Sequence, residues 1–181
     1  MQEEASDEML MAAIASGDQR SFRTLMGRHM KGAIRLSERI LLSQSDADDI
    51  AQEAFFRVWR HAPSFDPARA RFKTWLYRIV LNLALDRKRT KVSEPIETVH
   101  NRPSEDGSAL DHVIDAEERR RVQAAMAQLP ERQRAAIALF HLEGLSGREA
   151  ALAMQLSEKA FESLLIRARK ALKEIVGGAP A

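Results

Sequence analysis

Ten cations, Arg57, Arg60, Arg69, Arg71, Lys73, Arg78, Arg87, Lys88, Arg89 and Lys91, stand between positions 57 and 91 against only Asp66 and Asp86. That is a local charge of +8 in a chain of 181 residues whose formal net charge is +2. Cations near a helix C-terminus are stabilised by ~0.3–1 kcal/mol each, which explains part of the cluster at Arg87 to Arg89. The density exceeds that need and suits phosphate neutralisation. Tyr77 and Trp75 lie among these cations as candidate stacking groups, although Trp75 and Trp59 both fall on apolar stripes, where core packing is the better reading. Other chemistries find no residues to carry them. The chain has no cysteine, so thiolate ligation, disulfides and thiol redox chemistry are excluded. His29, His61, His100, His112 and His141 show no metal-ligand spacing, the carboxylates form no catalytic set, and no Gly-rich phosphate loop occurs. We therefore expect a binding protein rather than an enzyme, with no cofactor and no metal.

The element that must position these cations is "RFKTWLYRIVLNLALDRKR". Phe72, Trp75, Leu76, Ile79, Val80 and Leu83 follow the spacing of a buried helical stripe, and Lys73, Tyr77, Arg78, Asn82, Asp86, Arg87, Lys88 and Arg89 fall mainly elsewhere on the wheel. Strand signals are nearly absent, and Ala, Leu, Arg, Glu and Met dominate, so the fold class is all-α. Ser6 caps a short helix through about Ser16; Asp18 caps a long one through about Leu42; Ser45 with Asp48 resembles a capping box for a third helix from Asp46 to about His61. "APSFDPARAR" is a loop, and the basic helix follows it.

From Val92 to Asp111 the sequence loses periodicity and gathers Pro, Ser, Gly and acid, while eight carboxylates between Glu94 and Glu118 face a lone Arg102. The expected organisation is two small helical domains, 1–91 and 112–177, joined by a flexible acidic linker over 92–111 and keeping separate cores. After a charged helix from Ala116 to Gln128, Pro130 opens the next helix and Gly144 closes it. Ser146 with Glu149 forms a capping box for a short helix carrying Ala150, Ala151 and Leu152. Ser157 caps a longer one with Ala160, Phe161, Leu164, Leu165 and Ala168 inward, leaving Glu158, Lys159, Glu162, Ser163, Ile166, Arg167 and Lys170 outside. Two helices joined by a turn of about three residues form the pattern of a helix-turn-helix, in which the second helix enters a major groove, although plain packing hairpins share that spacing.

Taken together, "DADDIAQEAFFRVWRHAPSFDP", "FKTWLYRIVLNLALDRKR" and "LPERQRAAIALFHLEGLSGREAALAMQLSEKAFESLLIRARKAL" resemble, in order and separation, the regions 2.2, 2.3–2.4 and 4 of the extracytoplasmic-function class of bacterial sigma factors. The resemblance covers about residues 5–91 and 115–175. It implies a factor that binds core RNA polymerase, directs it to specific promoters and helps melt the start-proximal (−10) element. Core polymerase would dock on Asp46, Asp49, Gln52, Glu53, Phe56 and Arg57, although acids there also suit a helix N-terminus. The melted −10 strand would meet the loop Ser64 to Arg71, with Arg69 and Arg71, and the adjacent Tyr77 and Asn82, while Lys73, Arg78, Arg87, Lys88 and Arg89 hold its backbone. The distal (−35) element would meet Arg148, Lys159, Glu162, Ser163, Arg167 and Lys170. Many members carry a basic residue where this chain has Glu162 and another at Leu164, which bears on the sequence read, since Glu accepts from cytosine where Arg prefers guanine.

Promoter DNA, core polymerase and an anti-sigma factor are the expected partners, and the free protein is expected to be a monomer. The N-terminus lacks the basic and apolar regions of a signal peptide and no long apolar window exists, so no membrane insertion and a cytoplasmic location are expected. A stand-alone helix-turn-helix regulator is the competing reading, one that predicts tight DNA binding without polymerase, often as a dimer.

Overall fold

The computed structural model describes residues 5–92 and 113–178, and every described element is helical. In the first domain α1 (Asp7–Ala15) and α2 (Gln19–Leu41) begin where the capping residues require. Ser6 accepts from the Met9 N–H, and Asp18 accepts from the N–H groups of Arg20 and Ser21. These bonds satisfy donors that a helix start leaves orphaned. The next cap differs from expectation. Leu42 adopts a left-handed conformation, φ 58°, which ends α2 abruptly and leaves Ser43, not Ser45, as the extended residue that caps α3 (Gln44–His61). A short 3-10 turn, Ala62–Ser64, and a loop lead into α4 (Phe72–Val92), and the carboxylate of Glu8 on α1 accepts from the Phe72 N–H at 3.4 Å.

The stripe on α4 is buried or half-buried as its spacing implies, with Phe72, Leu76, Val80 and Leu83 in the core and Trp75 and Ile79 packed against it. Thr74, Tyr77, Leu81 and Ala84 are buried as well, so α4 turns little of its middle to water. Tyr77 departs from the sequence-based placement on an outer face. Its ring lies over Gly32 of α2, where a Cβ would stand 2.6 Å from the Tyr77 hydroxyl. Gly32→Ala is accordingly expected to force the ring or the helix aside and to lower stability by ~1–3 kcal/mol, the usual effect of overpacking. Urea denaturation measures this, and an unchanged midpoint would mean that the ring moves away freely.

The second domain contains α5 (Val113–Ala127), α6 (Glu131–Ile137) with a π-helical extension through Leu142, α7 (Gly147–Ala153) and α8 (Glu158–Gly178). Helix α5 starts three residues before the expected Ala116. Gly144 takes φ +70°, a conformation glycine adopts without steric cost, and turns the chain toward α7. The capping box is complete: Ser146 accepts from the Glu149 N–H, and Glu149 accepts from the Ser146 N–H. The Ser146 N–H first, and then the Ser146 hydroxyl, donate to the Glu149 carboxylate and hold it below its ordinary pKa. Gln155, at φ 56°, makes the turn, and Ser157 caps α8 by accepting from the Ala160 N–H. Phe161, Leu164, Leu165 and Ala168 face inward, whereas Ala160 is exposed, because it shares the outward arc of Glu158 and Lys159 rather than the stripe begun at Phe161. Leu152 of α7 is also exposed.

The two domains do not keep separate cores. Their buried apolar side chains form one continuous cluster, with α4 against α7 and the end of α2 against α6. Ala150, Ala151 and Ala153 on α7 are small enough for close helix approach. Arg134 on α6 adds a polar bolt: its guanidinium, 2% exposed, donates to the carbonyl oxygens of Met126 and Ala127 at the end of α5 and of Ile40 at the end of α2. Burial draws its pKa downward, and it supplies donors to the carbonyl ends of α5 and α2, where helical bonding runs out. The linker expected over 92–111 lies, beyond Val92, outside the described residues.

Candidate nucleic-acid interface

Three surfaces carry the residues singled out from the sequence. On α3, Asp49, Gln52, Glu53 and Phe56 are exposed at successive helical turns, and Arg57 is bonded to Glu53 at 2.9 Å. Phe56 is 58% exposed although large and apolar, which gives this face an anchor of the kind that protein partners bury. Asp46 differs from the rest: it is buried, and with Asp49 it faces Arg87 of α4, at 3.6 Å and 3.3 Å respectively. Arg87, assigned to DNA from the sequence, thus braces α4 on α3 and joins two sites that looked separate.

Along α4 the rest of the basic set divides. Arg69, Arg78 and Arg89 are exposed and Lys88 is half-buried. Arg69 pairs with Asp66 at 3.5 Å, and Arg89 pairs with Asp86. The remainder are held by the second domain. Arg71 lies 3.9 Å from Glu149, Lys73 Nζ donates to the Glu143 carbonyl oxygen at 2.7 Å, and Gln155 donates to the Asn82 side-chain oxygen at 3.2 Å. The Tyr77 hydroxyl donates to Glu143 Oε2 at 2.6 Å. Burial, reinforced by that carboxylate, holds the Tyr77 hydroxyl far above its ordinary pKa, so it remains a donor.

Glu143 is the centre of this contact and was not identified from the sequence. Its side chain is 3% exposed, and its Oε1 also lies 2.5 Å from Arg39 and 3.8 Å from Arg35, both on α2. As an acid just before Gly144 in a helix-ending turn, it carries no local signal of burial; its partners stand 66 or more positions away. The third surface is open. Arg148 at the start of α7, and Lys159, Glu162, Ser163, Arg167 and Lys170 on α8, are all exposed, while Ser163 and Arg167 bond only to helix carbonyls one turn back. Arg169 is a further exposed cation on α8, lying over Phe140 and donating to His141. Among the described residues no group of His, Asp and Glu is arranged to hold a metal ion, and no helix is long and apolar enough to cross a membrane.

Residues 25–94 match the family description Sigma-70 region 2, and residues 119–172 match Sigma-70, region 4. Over 96% of its length the chain is 34% identical to the ECF RNA polymerase sigma factor SigM of Mycobacterium tuberculosis, covering 86% of that protein. It is 33% identical to the ECF RNA polymerase sigma-E factor of Escherichia coli K12, over 95% of each chain. Among solved structures, CnrH in complex with the cytosolic domain of CnrY superposes with a TM-score of 0.74 at 30% identity, covering 97% of this chain and 100% of that one. RpoE of Bartonella quintana, solved in complex with the anti-sigma factor NepR, has the same fold, with a TM-score of 0.71 at 21% identity over 89% of this chain and 99% of that one. A sigma region 2 followed by a sigma region 4 defines the class, a sigma factor of the sigma-70 type. Within that class the chain belongs to the extracytoplasmic-function family. It is a transcription initiation factor and not an enzyme: it binds core RNA polymerase, directs it to specific promoters and promotes melting of the start-proximal element.

Proposed function

We propose that the three surfaces divide this work among the residues named above. Asp49, Gln52, Glu53, Phe56 and Arg57 on α3 take core polymerase, with Asp46 acting from beneath through Arg87. The α4 face, from Arg69 to Arg89, takes the melted start-proximal strand, and the outward residues of α7 and α8 take the distal element as duplex. The observation that carries this division is that α8 exposes Lys159, Glu162, Ser163, Arg167 and Lys170 on one face, with Ile166 among them, while Phe161, Leu164, Leu165 and Ala168 anchor its other side. That geometry suits a reading helix set in a major groove. The functional boundaries follow as 1–91, 92–111 and 112–177. The setting is the cytoplasm, where polymerase and promoter are, and the free factor is a monomer.

An anti-sigma factor is the fourth partner in this reading. CnrH, which matches nearly the whole chain, was solved in complex with the cytosolic domain of CnrY, and that likeness supports a protein partner of this kind here.

Promoter-library transcription with purified core polymerase tests the division. Asp49→Lys combined with Glu53→Lys is expected to reduce competition for core at least about tenfold, because like charges brought together at a protein interface cost several kcal/mol. The domain should remain folded, because both side chains are exposed and Asp46 still pairs with Arg87 when Asp49 is lost. A well-folded double variant that competes for core as the parent does would remove α3 from the polymerase surface.

A further inference from the structure

Glu143 is a carboxylate almost fully withdrawn from water, yet nothing in promoter reading requires an acid at this place. What surrounds it is more informative than the residue itself. Arg35 and Arg39 lie one turn apart on α2 and both approach Oε1, at 3.8 Å and 2.5 Å, while the Tyr77 hydroxyl donates to Oε2 at 2.6 Å. Lys73 completes the ring, with Nζ on the Glu143 carbonyl oxygen at 2.7 Å and 5.4 Å from the centre of the Tyr77 ring. All four donors belong to the first domain and the acid to the second. Two cations converge on the carboxylate and a third on the backbone carbonyl of the same residue, so the receptor keeps a positive excess even when Glu143 occupies it.

We propose that Arg35, Arg39, Lys73 and Tyr77 form an anion receptor that Glu143 fills in the closed chain and that a backbone phosphate of the melted promoter strand fills when the domains part. The inference rests on the reading of α4 as the face for that strand, and it extends the face onto α2. When Glu143 leaves, Arg35, Arg39, Lys73 and the Tyr77 hydroxyl lose a shared partner and remain as a concentration of positive charge and donors that attracts another anion. A phosphodiester offers two non-bridging oxygens where the carboxylate offers two, and guanidinium forks suit either. A strand is favoured over a free anion by continuity: Asn82, farther along α4, presents an amide suited to a base edge. In the closed chain Gln155 of the second domain holds that amide at 3.2 Å. One docking event thus occupies a phosphate position and a base position together, while the α8 reading face stays open.

The probe is a short fluorescent single-stranded DNA of random sequence, titrated with the full chain at several salt concentrations and read by anisotropy. Glu143→Ala, and Glu143→Gln as the variant that keeps the shape, are expected to raise affinity at least about fivefold by removing the competing charge and favouring the open population. Adding Arg39→Ala to Glu143→Ala should abolish that gain and lower the salt slope by about 0.7, the value of one phosphate contact on a single strand. Arg20→Ala in the same background, roughly 28 Å away along α2, should leave the slope within error of its parent. Unchanged affinity in both Glu143 variants, or an unchanged slope on adding Arg39→Ala, overturns the receptor. So does a loss confined to core-polymerase binding, which would make the natural anion an acidic side chain of the polymerase. Lys88→Ala with Arg89→Ala is titrated alongside with the same strand: if it lowers the affinity while the Glu143 and Arg39 variants do not, the receptor fails and α4 keeps its strand, and if it too changes nothing, the assignment of α4 to the melted strand fails.

Discussion

Phe161→Ala is expected to unfold the second domain while leaving the first competent to bind core polymerase. Phe161 is 2% exposed, packs against the Phe140 ring and anchors α8 to α6. Truncating such a side chain to alanine costs ~3–5 kcal/mol. A small domain with a correspondingly small core is stable by an amount of that order. The first domain has its own centre in Leu25, Leu36, Ile40, Phe55 and Leu76, all buried, so it should survive the loss. Thermal unfolding followed by circular dichroism should change from the parent's profile to one with an early transition, with discrimination among distal elements lost and competition for core retained. A single transition accompanied by loss of core binding would instead show that the shared cluster makes the chain one folding unit.

That outcome matters because the relation between the domains was the feature least legible in the sequence. Local signals read well: Ser6, Asp18, Ser146 and Ser157 cap the helices they should, and Gly144 ends the one it should. Each depends on residues within four positions. Ser43 displaced Ser45 because Leu42 took a left-handed conformation, a choice set by how α2 meets α3 rather than by the capping residues themselves. Tyr77 was placed on the wrong face, and Arg134 and Glu143 were not singled out, for a common reason. Each is polar by type and buried by virtue of a partner far along the chain: Glu143 for Tyr77, the Ile40 carbonyl for Arg134, and three side chains from α2 and α4 for Glu143. A helical wheel assigns such residues to water because it contains no second domain. Where a side chain's environment is made by its own helix, as at Arg167 or Glu53, type and spacing suffice.

Expected effects on promoter selection separate the two DNA surfaces. Lys88→Ala with Arg89→Ala should weaken open-complex formation at every promoter and reduce the salt slope by about 1.4, since each phosphate contact on a single strand contributes about 0.7. Neither change should reorder promoters, because phosphate contacts carry no base information. Glu162→Ala should do the reverse. Its side chain stands on the exposed face of α8, and a bonded base edge discriminates by roughly 1–3 kcal/mol, so preferences within the distal element should shift by about 5–150-fold with the slope nearly intact. Asn82→Ala should alter preference within the start-proximal element alone. It also removes the bond from Gln155, so part of its effect will be a looser closed state. A Gln155→Ala control isolates that part, because it opens the same contact without touching the base-reading amide. Promoter-library transcription at two salt concentrations reads all four variants. If Glu162→Ala left the distal preference untouched while Lys88→Ala changed it, the recognition helix would have to be sought elsewhere than α8.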